Sequence, residues 1–409
     1  MPHRSQAHRA QVPIAAVALY LVMSVTDVPT GFAHGALLFA CLYATLFPVL
    51  PQHSSHRSPS PSLPISLALF LTSFAASTWF SYYRPLSIDT VANLVPGLLV
   101  LYVLIRTRAT VSTCTDLCAL FAGAVGATYL LTGFRSGWMD AETAMHDFRI
   151  SALVVPNDVM ATVILLPVLL MVVLKPRTKL ARTGALFMLC ALLPLWGWVG
   201  SRLSVLVLLL TAAAYSVYSA RVRLETAIKG IAVISILLLC AGLALLAGWV
   251  DVAQLPALDN TRLSVWAAGI SRWNDNPWFG FGPGHFEVPY RLGIAELRLP
   301  DWIMVEERMV PWAHNIYLES YLERGAFGLA TQVLLFTVLY RVLLEKWQSA
   351  RGADKGHYLA MLLAYCAFLF AGLFELTFQR LWVANLLFLL VAAAALPSRT
   401  FTKQAQVPQ

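Results

Sequence analysis

A histidine near the start of a long apolar stretch is the residue best suited to acid–base chemistry in this chain. His314 lies in the segment PWAHNIYLESYLERGAFGLA, and Asn315, Tyr317 and Glu323 follow it at short helical spacings. A neutral imidazole can take a proton from a hydroxyl group and is the commonest general base. The spacing predicts that His314, Tyr317 and Tyr321 share one helix face. The alternative is a histidine that only caps a helix start or is hydrogen-bonded to a neighbouring group.

Three arginines at the ends of apolar stretches could bind a phosphate-bearing ligand. Arg149 occurs in FRISALVVPNDVMA, Arg202 in GWVGSRLSVL, and Arg262 in DNTRLSVWAAG. A guanidinium group suits phosphate because its N–H groups form paired hydrogen bonds with phosphate oxygens. The alternatives are an ion pair with Asp158 for Arg149, a membrane-interface anchor for Arg202, and a solvated surface position for Arg262. Together the three predict a pocket that stabilises the negative charge of a departing pyrophosphate.

Long apolar stretches must position these residues. The mean hydropathy is +0.68, and 58% of the residues are hydrophobic against 12% charged. Stretches of about 18 to 25 apolar residues are long enough to cross a bilayer, so the composition excludes a soluble protein. The predicted spans are residues 12–28, 32–50, 63–82, 88–105, 114–133, 152–174, 180–199, 202–219, 227–249, 313–341, 357–377 and 380–397.

The basic residues predict the orientation of these twelve spans. With the N-terminus inside, all six lysines and twelve arginines fall on the inner side, and eleven arginines fall on the outer side. This satisfies the positive-inside rule, and the net charge of +8 then meets anionic lipid rather than nucleic acid. Arg4 and Arg9 precede the first apolar stretch without a small-residue cleavage site, which predicts an uncleaved first span.

One long outer segment, residues 250–312, joins the ninth and tenth predicted spans. Its pattern predicts a helix at 260–273, a Gly/Pro turn cluster at 276–284 and a mixed stretch at 285–310. A shorter outer segment covers residues 134–151. The tryptophans of the long segment suit either the bilayer interface or the core of the loop. These are Trp266, Trp273, Trp278, Trp302 and Trp312.

No motif for a nucleotide or a metal occurs in the chain. It has no GxxxxGK[ST] loop, no CxxC pair and no DxD pair in the outer segments, so we expect no cofactor, no metal and no nucleotide or nucleic-acid partner. Cys114 and Cys118 share a helix face and are predicted to pack. The Pro156-Asn157-Asp158 sequence predicts a helix interruption within the membrane, of the kind that lines a cavity.

Four of these places together resemble the O-antigen ligase and polymerase superfamily, which comprises bacterial inner-membrane enzymes that move glycans from undecaprenyl pyrophosphate. RISALVVPNDVMA is similar to the family's arginine followed by Pro-Asn, and GSRLS to its Ser-Arg at a span start. TRLSVWAAGISRWNDNPWFGFGPGHF places Arg262 before the family's Asn-Pro and Gly-x-Gly pattern. HNIYLESYLERGAFGL matches its His-Asn with a downstream Glu-x-Gly. The matching residues in that segment are His314, Asn315, Glu323, Gly325 and Gly328.

The resemblance covers roughly residues 149–330 and implies a fold and an activity. The expected fold is an all-α polytopic membrane protein of GT-C-like architecture, with about 12 transmembrane helices, both termini inside and residues 1–409 as a single transmembrane domain. Residues 250–312 form its partly helical periplasmic loop. The implied enzyme is a glycosyltransferase of the bacterial inner membrane. It transfers a glycan from undecaprenyl pyrophosphate to a sugar of lipid A–core at the periplasmic face, in lipopolysaccharide biosynthesis, without a metal and with inversion. One departure is the Ser-Ala after Arg149, where many relatives have a glycine.

The resemblance also implies a role for each candidate residue. His314 activates or orients the acceptor hydroxyl, and Arg149, Arg202 and Arg262 bind the pyrophosphate. The supporting residues are Arg135, Asn157, Asn315, Tyr317 and Glu323. Two other functions stay open, namely an O-antigen or exopolysaccharide polymerase with the same donor, and a flippase for the lipid-linked glycan. A single long outer loop favours the ligase, and charges gathered at outer helix ends favour an enzyme over a flippase.

Overall fold

The structure, a computed structural model, describes residues 2–26, 30–49, 61–135, 160–174, 179, 182–186, 189, 261–306 and 310–397. The regular elements within these ranges are helices, with no strand among them. In chain order they are α1 (Pro2–Met23), α2 (Thr30–Leu46), α3 (Ser62–Trp79), α4 (Arg84–Ala92), α5 (Val95–Arg106), α6 (Val111–Arg135), α7 (Met160–Ile164), α8 (Leu166–Leu174), α9 (Thr261–Ser271), α10 (Glu287–Glu296), α11 (Ile316–Ser349), α12 (Gly352–Ala371) and α13 (Leu381–Ala395).

Four helical stretches of the described residues are long and apolar enough to cross a membrane. They are Ser62–Trp79, Arg84–Arg106, Val111–Thr128 and Ile316–Ser349. Shorter apolar helices accompany them, and the chain is a multi-pass membrane protein. The all-helical prediction is confirmed for the described residues, whereas the twelve crossings and the position of both termini inside stay predictions.

The stretch Arg84–Arg106 is divided into α4 and α5 by a proline. Pro96 is the second residue of α5. It cannot donate a hydrogen bond to the carbonyl four residues earlier, and its ring crowds that carbonyl. That carbonyl belongs to Ala92, the last residue of α4. The predicted span 88–105 is therefore helical over most of its length, with an interruption that the hydropathy pattern did not indicate.

Helix α13 lies at the centre of the main core. Its sequence, LWVANLLFLLVAAAA, is apolar except for Asn385, which is hydrogen-bonded to Tyr20, and nearly all of its residues are buried. It packs against α5, α6, α11 and α12, while α11 also packs along α3. A helix that is apolar all round is buried on all sides. Cys114 and Cys118 of α6 are fully buried in this core, which confirms their predicted packing role.

The long loop has a small core of its own, which rests on α11. Helices α9 and α10 pack together, and their apolar residues bury Leu322 of α11 with Ala313 of the connecting turn. The helix predicted at 260–273 is confirmed as α9, and the mixed stretch contains α10. The loop-core environment is confirmed for Trp266, whereas the bilayer-interface position of the exposed tryptophans stays a prediction. Trp266 donates its indole N–H to the Ala313 carbonyl at 2.8 Å, whereas Trp278 is 70% exposed.

Several sequence predictions concern residues outside the described ranges. The predicted spans 202–219 and 227–249 lie wholly outside them, and the span 180–199 does so in large part. The same holds for most of the outer segment 134–151 and for the helix interruption predicted at residues 156–158.

Candidate active site

Helix α11 is kinked at Gly325. The residue has φ 68° and ψ −168°, a backbone conformation that is essentially confined to glycine. A Cβ atom at this position would overlap the backbone carbonyl of Trp278. The expected continuous helix over 313–341 is therefore corrected. The helix starts at Ile316, extends to Ser349 and contains a break that the apolar pattern does not indicate.

The Gly/Pro cluster of the long loop supplies hydrogen bonds on the N-terminal side of the break. The N–H of Phe281 donates to the Leu322 carbonyl at 2.9 Å, and the N–H of Gly282 donates to the Glu323 carbonyl at 2.9 Å. Carbonyls at the end of a helix lack partners within that helix. The loop therefore satisfies the carbonyls that the break leaves open.

The same loop satisfies the groups on the C-terminal side of the break. The N–H of Ala326 donates to the Pro277 carbonyl at 2.7 Å, and the N–H of Phe327 donates to the Trp278 carbonyl at 3.3 Å. On α3, the hydroxyl of Ser77 lies 2.7 Å from the carbonyl of Phe279. The loop, the break in α11 and the end of α3 thus form one connected unit.

His314 lies in the turn that leads into α11, and its backbone has φ 50°. The next residue, Asn315, caps the helix, because its side-chain oxygen accepts hydrogen bonds from the N–H groups of Tyr317 and Leu318, each at 3.0 Å. Asparagine is a preferred N-cap residue. His314 therefore precedes the helix that was predicted to start at residue 313, whereas its depth in the membrane stays a prediction.

The shared helix face predicted for His314, Tyr317 and Tyr321 is wrong, because His314 precedes the helix. Tyr317 packs against the main core, and its hydroxyl donates to the Leu369 carbonyl at 3.0 Å. Tyr321 packs instead against the small core of the loop. Neither tyrosine is therefore placed to support the histidine directly.

Contacts from three directions hold the turn that carries His314. The indole of Trp266 binds the carbonyl of Ala313, as described above. The N–H of Ile316 donates to the Gly372 carbonyl at 2.8 Å. The side-chain amide of Gln379 donates to the Pro311 carbonyl at 3.0 Å. The turn therefore has a defined position relative to the chain that follows α12.

Glu375 brings Arg262 and His314 to one point. It lies in the turn after α12, where its N–H donates to the Ala371 carbonyl at 2.9 Å. Its Oε2 forms an ion pair and hydrogen bond with Arg262. Its Oε1 lies 3.4 Å from Nδ1 of His314. One carboxylate thus contacts a residue at the start of α9 and a residue at the start of α11.

The three side chains of the site differ in their exposure. The side chain of Glu375 is 5% exposed, that of His314 is 24% exposed and that of Arg262 is 41% exposed. The carboxylate is therefore inside, and the guanidinium and imidazole groups reach outward from it. A proton on Nδ1, facing the carboxylate, leaves Nε2 as the ring nitrogen that can accept a proton.

The contact between His314 and Glu375 is long for a hydrogen bond. Nδ1 of His314 and Oε1 of Glu375 are buried without a hydrogen-bond partner in the described part of the chain. Catalytic hydrogen bonds are often long in unliganded sites and shorten when the substrate binds.

A tryptophan ring packs against the histidine, and a further arginine packs against that tryptophan. The ring of Trp312 lies edge to face with that of His314, with 6.0 Å between centroids. The guanidinium carbon of Arg380 lies 4.8 Å from the centroid of the Trp312 ring. Such stacking is favourable for arginine. Within the described ranges, no group of three or more His, Cys, Asp or Glu side chains is placed to hold a metal ion.

Glu323 anchors the long loop. Its Oε1 accepts a hydrogen bond from the N–H of Phe286 at 3.3 Å and another from the side-chain amide of Gln379 at 3.0 Å. The residue is buried. It connects the start of α10 to the segment that follows Glu375, so its role in the structure is to hold these parts together.

The structure brings together Arg262 and His314 from the set chosen on sequence. Arg149, Asn157 and Arg202 lie outside the described residues. Arg135 is the last residue of α6, and its side chain is also outside the description. The roles of these four residues stay predictions.

Two other arginines of the long loop are paired on its surface. Arg272 contacts Glu296 and lies 3.7 Å from Asp275. Arg291 contacts Glu287, four residues earlier on α10. In both pairs at least one side chain is well exposed, and such surface pairs contribute little to stability. They differ from Arg262, whose partner is a buried carboxylate.

Glu375 is the site residue that the sequence analysis missed. It occurs in GLFELTF at the end of the predicted span 357–377. An isolated carboxylate in an apolar segment is a sign of function, and this was the available signal. Its two partners could not be identified from sequence, because they lie more than fifty residues away along the chain.

A comparison with protein families adds an independent observation. Residues 158–333 match the family model described as O-Antigen ligase. The chain carries an O-antigen ligase-like domain. The matched region of this domain includes α9, α10 and the first half of α11, with Arg262, His314 and Glu323, while Glu375 lies beyond it.

The O-antigen ligase-like domain supports a function of the ligase or polymerase type in O-antigen assembly, with glycosyltransferase-like activity. The resemblance seen in the motifs is thereby confirmed. A search of the curated proteins gave no match.

Proposed function

We propose that this protein is an O-antigen ligase, which transfers a glycan from undecaprenyl pyrophosphate to a sugar of lipid A–core at the periplasmic face of the bacterial inner membrane. The observation that carries the proposal is the meeting of Arg262 and His314 on the two oxygens of Glu375. A glycosyl transfer of this type needs a base for the acceptor hydroxyl and a positive group for the departing pyrophosphate. The arrangement offers both groups at one point.

In the proposed reaction, Nε2 of His314 takes the proton of the acceptor hydroxyl while the hydroxyl oxygen attacks the anomeric carbon of the donor sugar. The bond from that carbon to the pyrophosphate oxygen breaks, and undecaprenyl pyrophosphate leaves with the electron pair. Attack from the face opposite the leaving group inverts the anomeric centre. Glu375 stabilises the positive charge that His314 gains, because its buried carboxylate lies against Nδ1, where charges interact more strongly than in water.

Arg262 is proposed to bind the pyrophosphate together with Arg149 and Arg202. A guanidinium group has five N–H donors. Arg262 engages Glu375 through one nitrogen and leaves 41% of its side chain exposed. It can therefore keep its ion pair and still donate to phosphate oxygens. The three guanidinium groups would supply the positive charge that a divalent metal supplies elsewhere, which makes the proposed transfer metal-independent.

The test is a transfer assay with the purified protein, undecaprenyl-pyrophosphate-linked glycan and lipid A–core, in the presence of EDTA. We expect ligated product from the wild type and a rate about 10²- to 10⁴-fold lower from His314→Ala, the usual contribution of a general base. His34→Ala is the matched control, because His34 lies on α2 with its ring stacked on Tyr20. It should transfer at the wild-type rate.

Each other outcome has a definite meaning. Robust transfer by folded His314→Ala would remove the histidine from the chemistry. No ligation by the wild type, together with chain growth from lipid-linked repeats alone, would assign the protein as a polymerase. Loss of transfer in EDTA with recovery on adding Mg²⁺ would contradict the metal-independent reaction.

A further inference from the structure

A second buried carboxylate lies behind the site and belongs to Glu319, in the first turn of α11. The residue is 3% exposed. Its Oε2 accepts a hydrogen bond from the N–H of Ala313 at 3.2 Å, and its Oε1 accepts one from the hydroxyl of Thr377. A carboxylate is costly to bury unless its oxygens have partners. Glu319 has a partner on each oxygen.

The positions of these two partners are informative. Ala313 directly precedes His314, and Thr377 follows Glu375 by two residues. One oxygen of Glu319 therefore holds the turn that carries the histidine, and the other holds the turn that carries its carboxylate partner. Glu319 therefore joins the two turns from its position in the first turn of α11.

We propose that Glu319 is the positioning residue of the His314–Glu375 pair. This inference rests on the proposed function, in which His314 is the base. Glu319 contacts the backbone beside the histidine and a side chain beside Glu375, so it acts on the reaction only through them. The distance it controls is the 3.4 Å between Nδ1 of His314 and Oε1 of Glu375.

Two neighbouring contacts between the same turns do not replace Glu319. The Ile316 N–H bonds the Gly372 carbonyl before Glu375, and the Gln379 side chain bonds the Pro311 carbonyl before Ala313. They keep the two turns adjacent when Glu319 is changed. The loss of Glu319 should therefore shift His314 locally and leave the fold in place. A displacement of about 1 Å in a catalytic site can lower the rate about 100-fold.

The test compares Glu319→Gln with Glu319→Leu in the transfer assay, using protein that elutes as a single folded species. The amide oxygen of glutamine can accept from the Ala313 N–H, and its NH₂ can donate to the Thr377 hydroxyl. Leucine has a similar size and can do neither. We expect Glu319→Gln to retain kcat within about threefold, and Glu319→Leu to lose about 100-fold in kcat. The Kd for the lipid-linked donor should change less than about threefold in both, because the ion pair between Arg262 and Glu375 does not include Glu319 and remains in both variants.

A second pair of variants covers the case in which Glu319→Leu does not fold. Thr377→Val removes the hydroxyl at nearly constant volume, while Thr377→Ser keeps it. We expect Thr377→Val to lose about tenfold in kcat, as one of the two ties is broken, and Thr377→Ser to stay within about twofold.

The outcomes separate this inference from the proposed function. If His314→Ala is inactive while Glu319→Leu or Thr377→Val is fully active, the positioning role of Glu319 is overturned and the proposed function is not. Equal losses in Glu319→Gln and Glu319→Leu also overturn it, because the negative charge would then matter and the hydrogen bonds would not. Active His314→Ala overturns the proposed mechanism, and the positioning role with it.

Discussion

Replacing Gly325 with alanine should separate the long loop from α11. Gly325 has φ 68° and ψ −168°, and an added methyl group would overlap the carbonyl group of Trp278. The obstacle is backbone, so it cannot rotate away as a side chain can. Either the loop moves away from the helix, or the helix takes another path at this point.

The size of the effect follows from the contacts at the break. A residue other than glycine in this region of backbone space costs about 1–3 kcal/mol. Moving the loop also breaks the hydrogen bonds that Ala326 and Phe327 donate to it, each worth about 1 kcal/mol net. We therefore expect Gly325→Ala to lower the free energy of unfolding by about 4 kcal/mol. Transfer activity should fall with it, because the loop carries Arg262.

Two other glycines provide graded controls in the same unfolding experiment. Gly352 has φ 60° and open space around its Cα, so Gly352→Ala should cost only the backbone strain of about 1–2 kcal/mol. Gly35 lies inside α2 with open space, so Gly35→Ala should stabilise by about 0.5–1 kcal/mol. Equilibrium unfolding in mixed detergent and SDS micelles measures all three. A Gly325→Ala protein as stable as Gly352→Ala would refute the proposed fit between loop and helix.

Three further predictions concern the site and its support. Glu375→Gln should lower kcat about 100-fold in the transfer assay, because His314 and Arg262 both lose their anionic partner. Glu287→Gln, which removes a carboxylate from a surface pair, should keep the wild-type kcat. Equal kcat values for the two variants would contradict the role of Glu375. Arg324 is fully buried among polar side chains and three phenylalanine rings. Arg324→Ala should therefore lower the free energy of unfolding by about 3 kcal/mol. The exposed control Arg341→Ala should change it by no more than about 0.5 kcal/mol. Ser77→Ala should lower the free energy of unfolding by about 1 kcal/mol, because it removes the hydrogen bond to the Phe279 carbonyl. An unchanged free energy of unfolding would show that α3 does not hold the loop.

The sequence was a good guide to the helices and a poor guide to their interruptions. Hydropathy located α3, α6 and α13 within a few residues, because spanning lipid requires length and apolarity, which composition reveals directly. The break at Gly325 was not predicted, since the apolar pattern continues through it. Its cause is the long loop, whose backbone provides the hydrogen bonds that the helix gives up, and pairing between distant segments leaves no local pattern.

Two residues of the candidate site could be chosen from the sequence, but the partner that joins them could not, because contacts between distant segments leave no local pattern. His314 and Arg262 could be chosen because imidazole and guanidinium groups have distinctive chemistry, and the motif resemblance placed both in one family pattern. Their shared partner Glu375 lies in a later segment, in a turn after α12. Asn315, Tyr317 and Glu323 were expected to support the reaction. In the structure Asn315 caps α11, Tyr317 packs against the main core and Glu323 anchors the loop. Their residue types alone did not distinguish these structural contacts from a role in the reaction.

A double-mutant cycle shows whether Arg262 and His314 act as one site. Single-turnover transfer rates would be measured by mass spectrometry for wild type, Arg262→Gln, His314→Ala and the double variant, with Arg291→Gln as the surface control. Residues that act as a unit have strongly non-additive effects. We expect the double variant to be about as slow as the slower single variant. Losses that multiply would contradict this expectation, because they would mean that the two residues act independently.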